Sequence, residues 1–125
     1  MKLLRVSTAV ITTLLFSATA LAADSPPLRS ANGMLVDSAG MTVYTYDKDT
    51  PNSGKSSCVA ACAKNWPPVM AEGTPAAPYS VVTREDGGKQ LAHQGKPLYT
   101  FVKDKKAGDK TGDGVGGAWH VVKGE

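Results

Sequence analysis

Apolar and aromatic side chains alternate with polar ones in several short segments of the chain, the pattern of strands with one buried face. Two of these segments, residues 41–46 and 98–102, each follow a polar tetrad that contains glycine, at residues 37–40 and 93–96. An incoming extended run precedes each tetrad. Both regions are therefore predicted to form β-hairpins.

A third hairpin and a final strand follow from the same kind of pattern. Residues 79–84 and 89–92 flank the turn sequence Glu-Asp-Gly-Gly, and residues 118–122 form a last apolar run. Residues 56–65 are instead predicted to be a short helix, with Ser56 at its N-cap and a run of alanines inside it. This helix would contain both cysteines of the chain.

The two halves of the chain repeat one pattern. The stretch LVDSAGMTVYTYDKD in the first half aligns to LAHQGKPLYTFVKD in the second, without a gap between residues 36–49 and 91–104, and each half later reaches a tryptophan. A duplicated unit of this kind buries its apolar face against its other copy. The predicted fold is mainly β, with two related hairpin or meander units packed together as a single domain over residues 32–125. The repeats span about residues 32–70 and 86–122. Equivalent positions are Gly40 and Gly95, Tyr44 and Tyr99, Tyr46 and Phe101, and Asp49 and Asp104.

The N-terminus has the features of an export signal. Lys2 and Arg5 precede an apolar run over residues 6–21, and Ala20 and Ala22 supply small residues for a signal peptidase. Residues 1–22 are predicted to be a cleaved signal peptide, and residues 23–31, with two prolines, a flexible lead-in. The apolar run is too short to span a bilayer, so no membrane span is expected after cleavage. The protein is predicted to be periplasmic or secreted.

Charge argues against a nucleic-acid partner. The whole chain has a formal net charge of +3, and without Lys2 and Arg5 only 12 of its 14 basic residues remain against 11 acidic ones. Nucleic-acid binding needs clustered lysine and arginine to displace counterions.

Several motifs together resemble a known bacterial family. The segments YTYDKD and YTFVKD both fit the pattern Yx(FWY)xxD, and they occur with CVAACAKNWPPV, GKPLYTFVKDKKAGDKTGDG and a terminal WHVV. This set resembles the "secreted repeat of unknown function" family, often described as predicted lipoproteins. The resemblance implies an exported envelope protein built from repeats, and it implies no activity. No cysteine follows the apolar run, so the lipid anchor of many family members is not expected here.

Cys58 and Cys62 are expected to form a disulfide, because two nearby cysteines in an oxidising compartment usually pair. A regular helix would hold their Cβ atoms too far apart, so pairing requires a turn or a distorted helix. A metal or haem role and a redox-active thiol pair remain as alternatives. The spacing differs from Cys-x-x-Cys, and Ala63 stands where a haem-attachment motif needs histidine.

The Gly/Asp-rich segment after Asp104 is the best candidate for a metal site. Asp109, Thr111 and Asp113 alternate before a glycine, as oxygen ligands do in calcium loops. His120 occupies the place of the closing glutamate, and three lysines weaken the local negative field. A turn whose carboxylates accept backbone N–H groups is therefore preferred over a calcium site.

The motif residues are predicted to be structural. Asp49 and Asp104 are expected to accept backbone N–H bonds that close the loop after each aromatic strand. The aromatic side chains are expected to form a shared core between the repeats rather than a ligand platform. These aromatic residues are Tyr44, Tyr46, Trp66, Tyr99, Phe101 and Trp119.

The two histidines, His93 and His120, are interpreted as isolated surface residues, with His93 in a turn. No arrangement of serine, histidine and aspartate supports a catalytic triad. The preferred function is a non-enzymatic binding or structural module of the cell envelope that meets an unknown envelope protein or ligand. The alternative is a periplasmic metal- or redox-cofactor protein that uses Asp109, Asp113 and either His120 or the cysteines. An exported enzyme has no positive support.

Overall fold

The computed structural model describes residues 27–124, so the predicted signal peptide and residues 23–26 of the lead-in lie outside the described part. Short strands dominate, as the sequence predicted, and one α-helix and one 3-10 turn interrupt them. In chain order the elements are β1 (Arg29–Ala31), β2 (Met34–Val36), β3 (Tyr44–Tyr46), α1 (Ala61–Asn65), β4 (Tyr79–Thr83), β5 (Lys89–His93), β6 (Lys96–Pro97), the 3-10 turn (Val115–Gly117) and β7 (Trp119–Val121).

The strand β1 lies within residues 23–31, the segment that the sequence analysis assigned to the lead-in. β1 pairs antiparallel with β2, and Leu28 just before it is buried. The connecting residues Asn32 and Gly33 both have positive φ, at 52° and 78°. Asn-Gly is a strong sequence signal for a two-residue hairpin turn.

The predicted hairpin around residues 85–88 is present. β4 pairs with β5 along five residues, and β6 extends the same antiparallel sheet after a turn at Gln94 and Gly95. Gly95 has φ +77°, and a Cβ there would overlap the Asn52 side chain. Glycine is therefore required both by the turn and by the close approach of the neighbouring loop.

The predicted aromatic strands 41–46 and 98–102 are shorter in the structure. β3 pairs with β7, whereas Thr42 makes an isolated bridge to Val36 on the other side. Tyr44 and Tyr99 exchange both backbone hydrogen bonds, at 2.8 and 2.9 Å. The two motif tyrosines therefore form an antiparallel pair between the repeats.

The residues that follow the tryptophan of each repeat, which we call its tail, form backbone hydrogen bonds with the other repeat. In the first repeat, Val69 accepts from the N–H of Leu91 and donates to the carbonyl of Leu98, at 2.7 and 2.9 Å. In the second, Val122 accepts from Leu35 and donates to Val43, at 2.9 and 3.2 Å. Val69 and Val122 stand three residues after Trp66 and Trp119, so the exchange is symmetric. Neither repeat is hydrogen-bonded as an independent unit.

The helix is shorter than predicted, because Arg84 forms a hydrogen bond with a backbone carbonyl that a longer helix would need. α1 begins at Ala61, after Ala60 with φ 54°, and no side chain caps it. Arg84 Nη2 donates to the carbonyl oxygen of Cys58 at 2.7 Å, and the N–H of Cys62 turns to Val59 instead. A helix from residue 56 would require the Cys58 carbonyl for Cys62. Only Cys62 therefore lies inside the helix.

Two buried clusters make up the interior. The first cluster is aliphatic and packs against Val69 and Val122 of the two tails. It consists of Leu28, Leu35, Val43, Leu91 and Leu98. The second is aromatic and contains the residues of the repeated motif together with Cys58. The aromatic cluster is where the motif chemistry lies.

Candidate functional site: the crossed Tyr-Asp motifs

The centre of the site is a stack of aromatic rings contributed by both repeats. The indoles of Trp66 and Trp119 lie face to face, with centroids 3.8 Å apart and planes 2° from parallel. Tyr46 continues the stack on Trp119 at 4.2 Å, and Phe101 continues it on Trp66 at 3.9 Å. The predicted shared aromatic core is therefore confirmed, except that Tyr46 is only half-buried.

The two motif tyrosines meet this stack edge-on. Tyr44 lies 5.4 Å from Trp66 and Tyr99 lies 5.1 Å from Trp119, with interplanar angles of 82° and 89°. Edge-to-face geometry directs the positive ring edge toward the negative π face. Each repeat thus contributes one tyrosine against its own tryptophan, and the tryptophans join the repeats.

The hydroxyl of Tyr44 reaches the motif aspartate of the opposite repeat. Tyr44 Oη donates to Asp104 Oδ2 at 2.6 Å. The other carboxylate oxygen of Asp104 accepts from the backbone N–H and the hydroxyl of Thr111, at 2.9 and 2.6 Å. Gly112 in turn donates its N–H to Tyr44 Oη at 3.2 Å. Asp104 therefore closes its own loop through one carboxylate oxygen and binds the first repeat through the other.

The same contact occurs in reverse from the second repeat. Tyr99 Oη donates to Asp49 Oδ2 at 2.6 Å, and Asp49 Oδ1 accepts from the backbone N–H of Ser57 at 2.6 Å. Both aspartates are buried. We call these two contacts the crossed Tyr-Asp pairs. Each motif therefore supplies a tyrosine to the other motif and receives that motif's tyrosine at its own aspartate.

A buried arginine extends one of the two pairs and was not identified from the sequence. Arg84 donates to Ser56 Oγ at 2.9 Å and to Gln90 Oε1 at 2.7 Å, and Ser56 Oγ lies 2.5 Å from Tyr99 Oη. A hydrogen-bonded chain thus connects the guanidinium through Ser56 and Tyr99 to the carboxylate of Asp49. No local motif marked Arg84, because its partners come from distant positions in the chain.

Burial raises the pKa of the Tyr44 and Tyr99 phenols well above the ordinary tyrosine value of about 10, and the hydrogen bonds to Asp104 and Asp49 raise them further. Desolvation disfavours the charged phenolate, and a neighbouring carboxylate repels it. Both hydroxyls therefore stay protonated in the fold and act as donors.

We expect the fold to lose stability as the pH rises above about 10, the tyrosine pKa of an unfolded chain. Above that pH the unfolded chain releases the Tyr44 and Tyr99 protons that the folded chain keeps, so the free energy of unfolding falls. Urea titrations at increasing pH measure the effect. The Tyr44→Phe/Tyr99→Phe double variant should show a shallower fall, and an equal fall in both proteins would contradict the assignment.

Cys58 and Cys62 are joined in a disulfide with a Cα–Cα distance of 5.2 Å, and Cys58 is fully buried against the aromatic cluster. The turn that precedes α1 provides the distortion that such close spacing requires. Neither sulfur is a thiol, so the structure gives no support to a thiol redox pair or a thiolate metal site.

Asp109 and Asp113 accept hydrogen bonds from different parts of the backbone. Asp109 Oδ2 accepts from the N–H groups of Lys105 and Lys106 at 2.9 and 3.2 Å, whereas Asp113 Oδ1 accepts from Val121 at 3.1 Å. Within residues 27–124, no group of three or more histidine, cysteine or acidic side chains is placed to hold a metal ion. Asp109 thus accepts backbone N–H groups within its own turn.

The histidines differ from their prediction in one respect. His93 is not an exposed turn residue; it ends β5 and is buried beside Tyr79, with ring centroids 5.2 Å apart. The strand continues one residue further than predicted because His93 pairs with both Tyr79 and Lys96. His120 is exposed, and its Nε2 lies 2.7 Å from Asp47 Oδ2.

An open groove lies away from the crossed pairs, next to β1. It has a volume of about 830 Å³ and is bounded by residues 27–30 on one side and residues 72–79 on the other. Leu35 and His93 also line it. We call this region the β1 groove. Sequence reasoning missed it because it forms only where the inter-repeat linker passes the first hairpin.

The architecture defines a class: a small β domain in which two short repeats complete each other through crossed motif contacts. A family model described as a secreted repeat of unknown function matches residues 29–70 and 80–123. The chain belongs to this family. The matched segments begin a few residues before the predicted repeats, in agreement with β1 and β4 being part of the repeated unit.

Comparison with curated proteins and with solved structures gave no match. Over residues 27–124, the helices are all too short or too polar to cross a membrane.

Proposed function

We propose that the protein is an exported, non-enzymatic binding module of the cell envelope, with the predicted signal peptide directing it to the periplasm. The observation that carries this proposal is the internal use of the motif. Tyr44, Tyr99, Asp49 and Asp104 bind one another across the repeats, and they are buried. These residues of the repeated motif therefore stabilise the scaffold and leave its surface to make contacts.

The buried polar groups of the interior are used in hydrogen bonds within the fold. Each buried side-chain nitrogen and oxygen atom in residues 27–124 has a hydrogen-bond partner. The described cysteines are both in the disulfide. A catalytic site would need a convergent nucleophile and base facing a cavity. The β1 groove instead has a largely aliphatic floor, which suits binding.

The occupant we assign to the β1 groove is an extended peptide segment of a partner protein with apolar side chains. Leu28, Leu35 and the segment from Pro75 to Pro78 line the groove, so its lining is mainly apolar and suits the apolar side chains of the peptide. Pro75 and Pro78 stiffen the opposite wall, which lowers the entropy lost on binding.

We expect peptides selected from a displayed random library to bind with their contacts confined to the β1 groove. Amide chemical shifts should change along residues 29–31 and 72–79 when a selected synthetic peptide is titrated. The Thr74→Trp variant should lose this binding, because its indole would fill the groove from an exposed wall position.

Val115→Trp is the matched control, since Val115 is exposed and lies outside the groove. It should bind the same peptide as the parent protein does. Shifts centred on another surface, equal binding by Thr74→Trp, or self-association of the protein through β1 in place of peptide binding would each overturn the assignment.

A further inference from the structure

The aromatic stack places oxidisable rings in direct contact. Three rings that can lose an electron, Tyr46, Trp119 and Trp66, lie in face-to-face contact, with successive centroids 4.2 and 3.8 Å apart. Parallel indoles in contact share a positive charge between them, which makes loss of one electron easier than from a single indole. The half-buried Tyr46 brings the stack to the surface.

Each indole also touches a tyrosine that has a proton acceptor in place. Tyr44 contacts Trp66, and Tyr99 contacts Trp119. A tyrosine that loses an electron becomes a strong acid, so its oxidation requires a base at hydrogen-bonding distance. Asp104 and Asp49 lie 2.6 Å from the two phenol oxygens.

We propose that the stacked Trp66–Trp119 pair and the crossed Tyr-Asp pairs form a one-electron relay, which takes up an oxidising equivalent at Tyr46 and holds it inside the domain. The oxidant is a high-potential one-electron acceptor of the exported compartment, such as a high-valent haem. This activity is independent of the β1 groove and of any bound metal.

The electron and proton balance closes in two steps. First, the indole pair gives one electron through Tyr46 to the oxidant and becomes a cation radical. Next, Tyr44 or Tyr99 gives one electron to the indole pair while its phenolic proton moves to Asp104 or Asp49. The products are a neutral indole pair, a neutral tyrosyl radical and a protonated aspartate. A one-electron donor of the ascorbate or hydroquinone class returns the electron, and the proton returns from the carboxyl to the phenolate.

The surroundings confine the oxidation to the stacked rings and to the two motif tyrosines. The disulfide leaves no thiol among the described residues to compete as an electron donor. Tyr44 and Tyr99 are fully buried, so their radicals are shielded from solvent and from other protein molecules. The raised phenol pKa values keep both tyrosines protonated, so electron loss and proton transfer occur together.

The test is flash photolysis of the full domain with photogenerated tris(bipyridine)ruthenium(III) as the oxidant. We expect a near-infrared band from the indole pair, followed by a tyrosyl radical detected by absorbance and electron paramagnetic resonance. The Tyr44→Phe/Tyr99→Phe double variant should lose that tyrosyl signal and retain the tryptophan radical for longer. Tyr79→Phe, which changes a tyrosine outside the stack, should behave as the parent protein.

Two further measurements separate the relay from a purely structural role. Formation of the tyrosyl radical should slow in D₂O, because a proton moves in that step, and this holds in the parent protein without any variant. Trp66→Phe should lose the near-infrared band while the thermal unfolding curve shows a folded protein. Absence of the band in the parent, an unchanged tyrosyl signal in the double variant, or no slowing in D₂O would overturn the proposal.

Discussion

Residues 27–73 and residues 74–124, produced as two separate chains, are each expected to remain unfolded alone and to fold together when mixed. Each piece lacks the hydrogen-bond partners of its own tail, because Val69 pairs with Leu91 and Leu98, and Val122 pairs with Leu35 and Val43. The aromatic stack is also divided at the contact of Trp66 with Trp119. Chains of this size rarely bury enough surface to fold without such help.

Circular dichroism and amide proton dispersion measure the outcome. Each piece should give the spectrum of an unfolded chain, and an equimolar mixture should recover the dispersed spectrum of the intact protein. Size-exclusion chromatography should then show a one-to-one complex. The first piece mixed with itself at the same total concentration is the control, because it supplies neither Tyr99 nor Asp104. A piece that folds as a monomer would contradict the exchange of tails.

The duplication could be found in the sequence because equivalent positions recur at constant spacing. Gly40 and Gly95, like Tyr44 and Tyr99, need the same backbone and side-chain environment in each unit, so the pattern survives in the residues themselves. The mainly β class, the hairpin after β4 and the last strand followed from alternation and glycine placement. These features depend on local sequence.

The exchange between the repeats could not be predicted in this way. Alternation shows that Tyr44 points to a buried face, but it does not say whether its hydroxyl meets Asp49 or Asp104. Both aspartates were correctly expected to accept backbone N–H groups, since that role is local. Their second role depends on which unit packs against which, and the sequence of one repeat contains no record of that.

The helix and the lead-in show the opposite limitation, in which tertiary contacts override a reasonable local pattern. The alanine-rich segment 56–65 has helical propensity, yet Arg84 takes the Cys58 carbonyl and only residues 61–65 are helical. Similarly, two prolines suggested a solvated lead-in, whereas Leu28 is buried and β1 pairs at once with β2. In both cases the decisive partner lies elsewhere in the chain.

We expect the Asp49→Ala substitution to lower the free energy of unfolding by about 3 kcal/mol, the scale of losing a hydrogen bond to a buried charge. The substitution removes the acceptor of the Tyr99 hydroxyl and of the Ser57 N–H. It also removes the anion at the end of the chain of hydrogen bonds from Arg84, whose own acceptors are all neutral. A buried cation without a nearby anion is costly.

Urea unfolding of the parent protein and four variants tests whether this loss belongs to the crossed pair. Asp86→Ala is the control, because Asp86 is exposed and accepts one backbone N–H within a hairpin turn, so its loss should cost about 0.5 kcal/mol or less. Tyr99→Phe removes the donor, and in the double variant with Asp49→Ala the two losses should be less than additive, since both remove one interaction. Additive losses would mean that Asp49 stabilises only its own loop, and the repeats would then be held together by the aromatic stack and the exchanged tails alone.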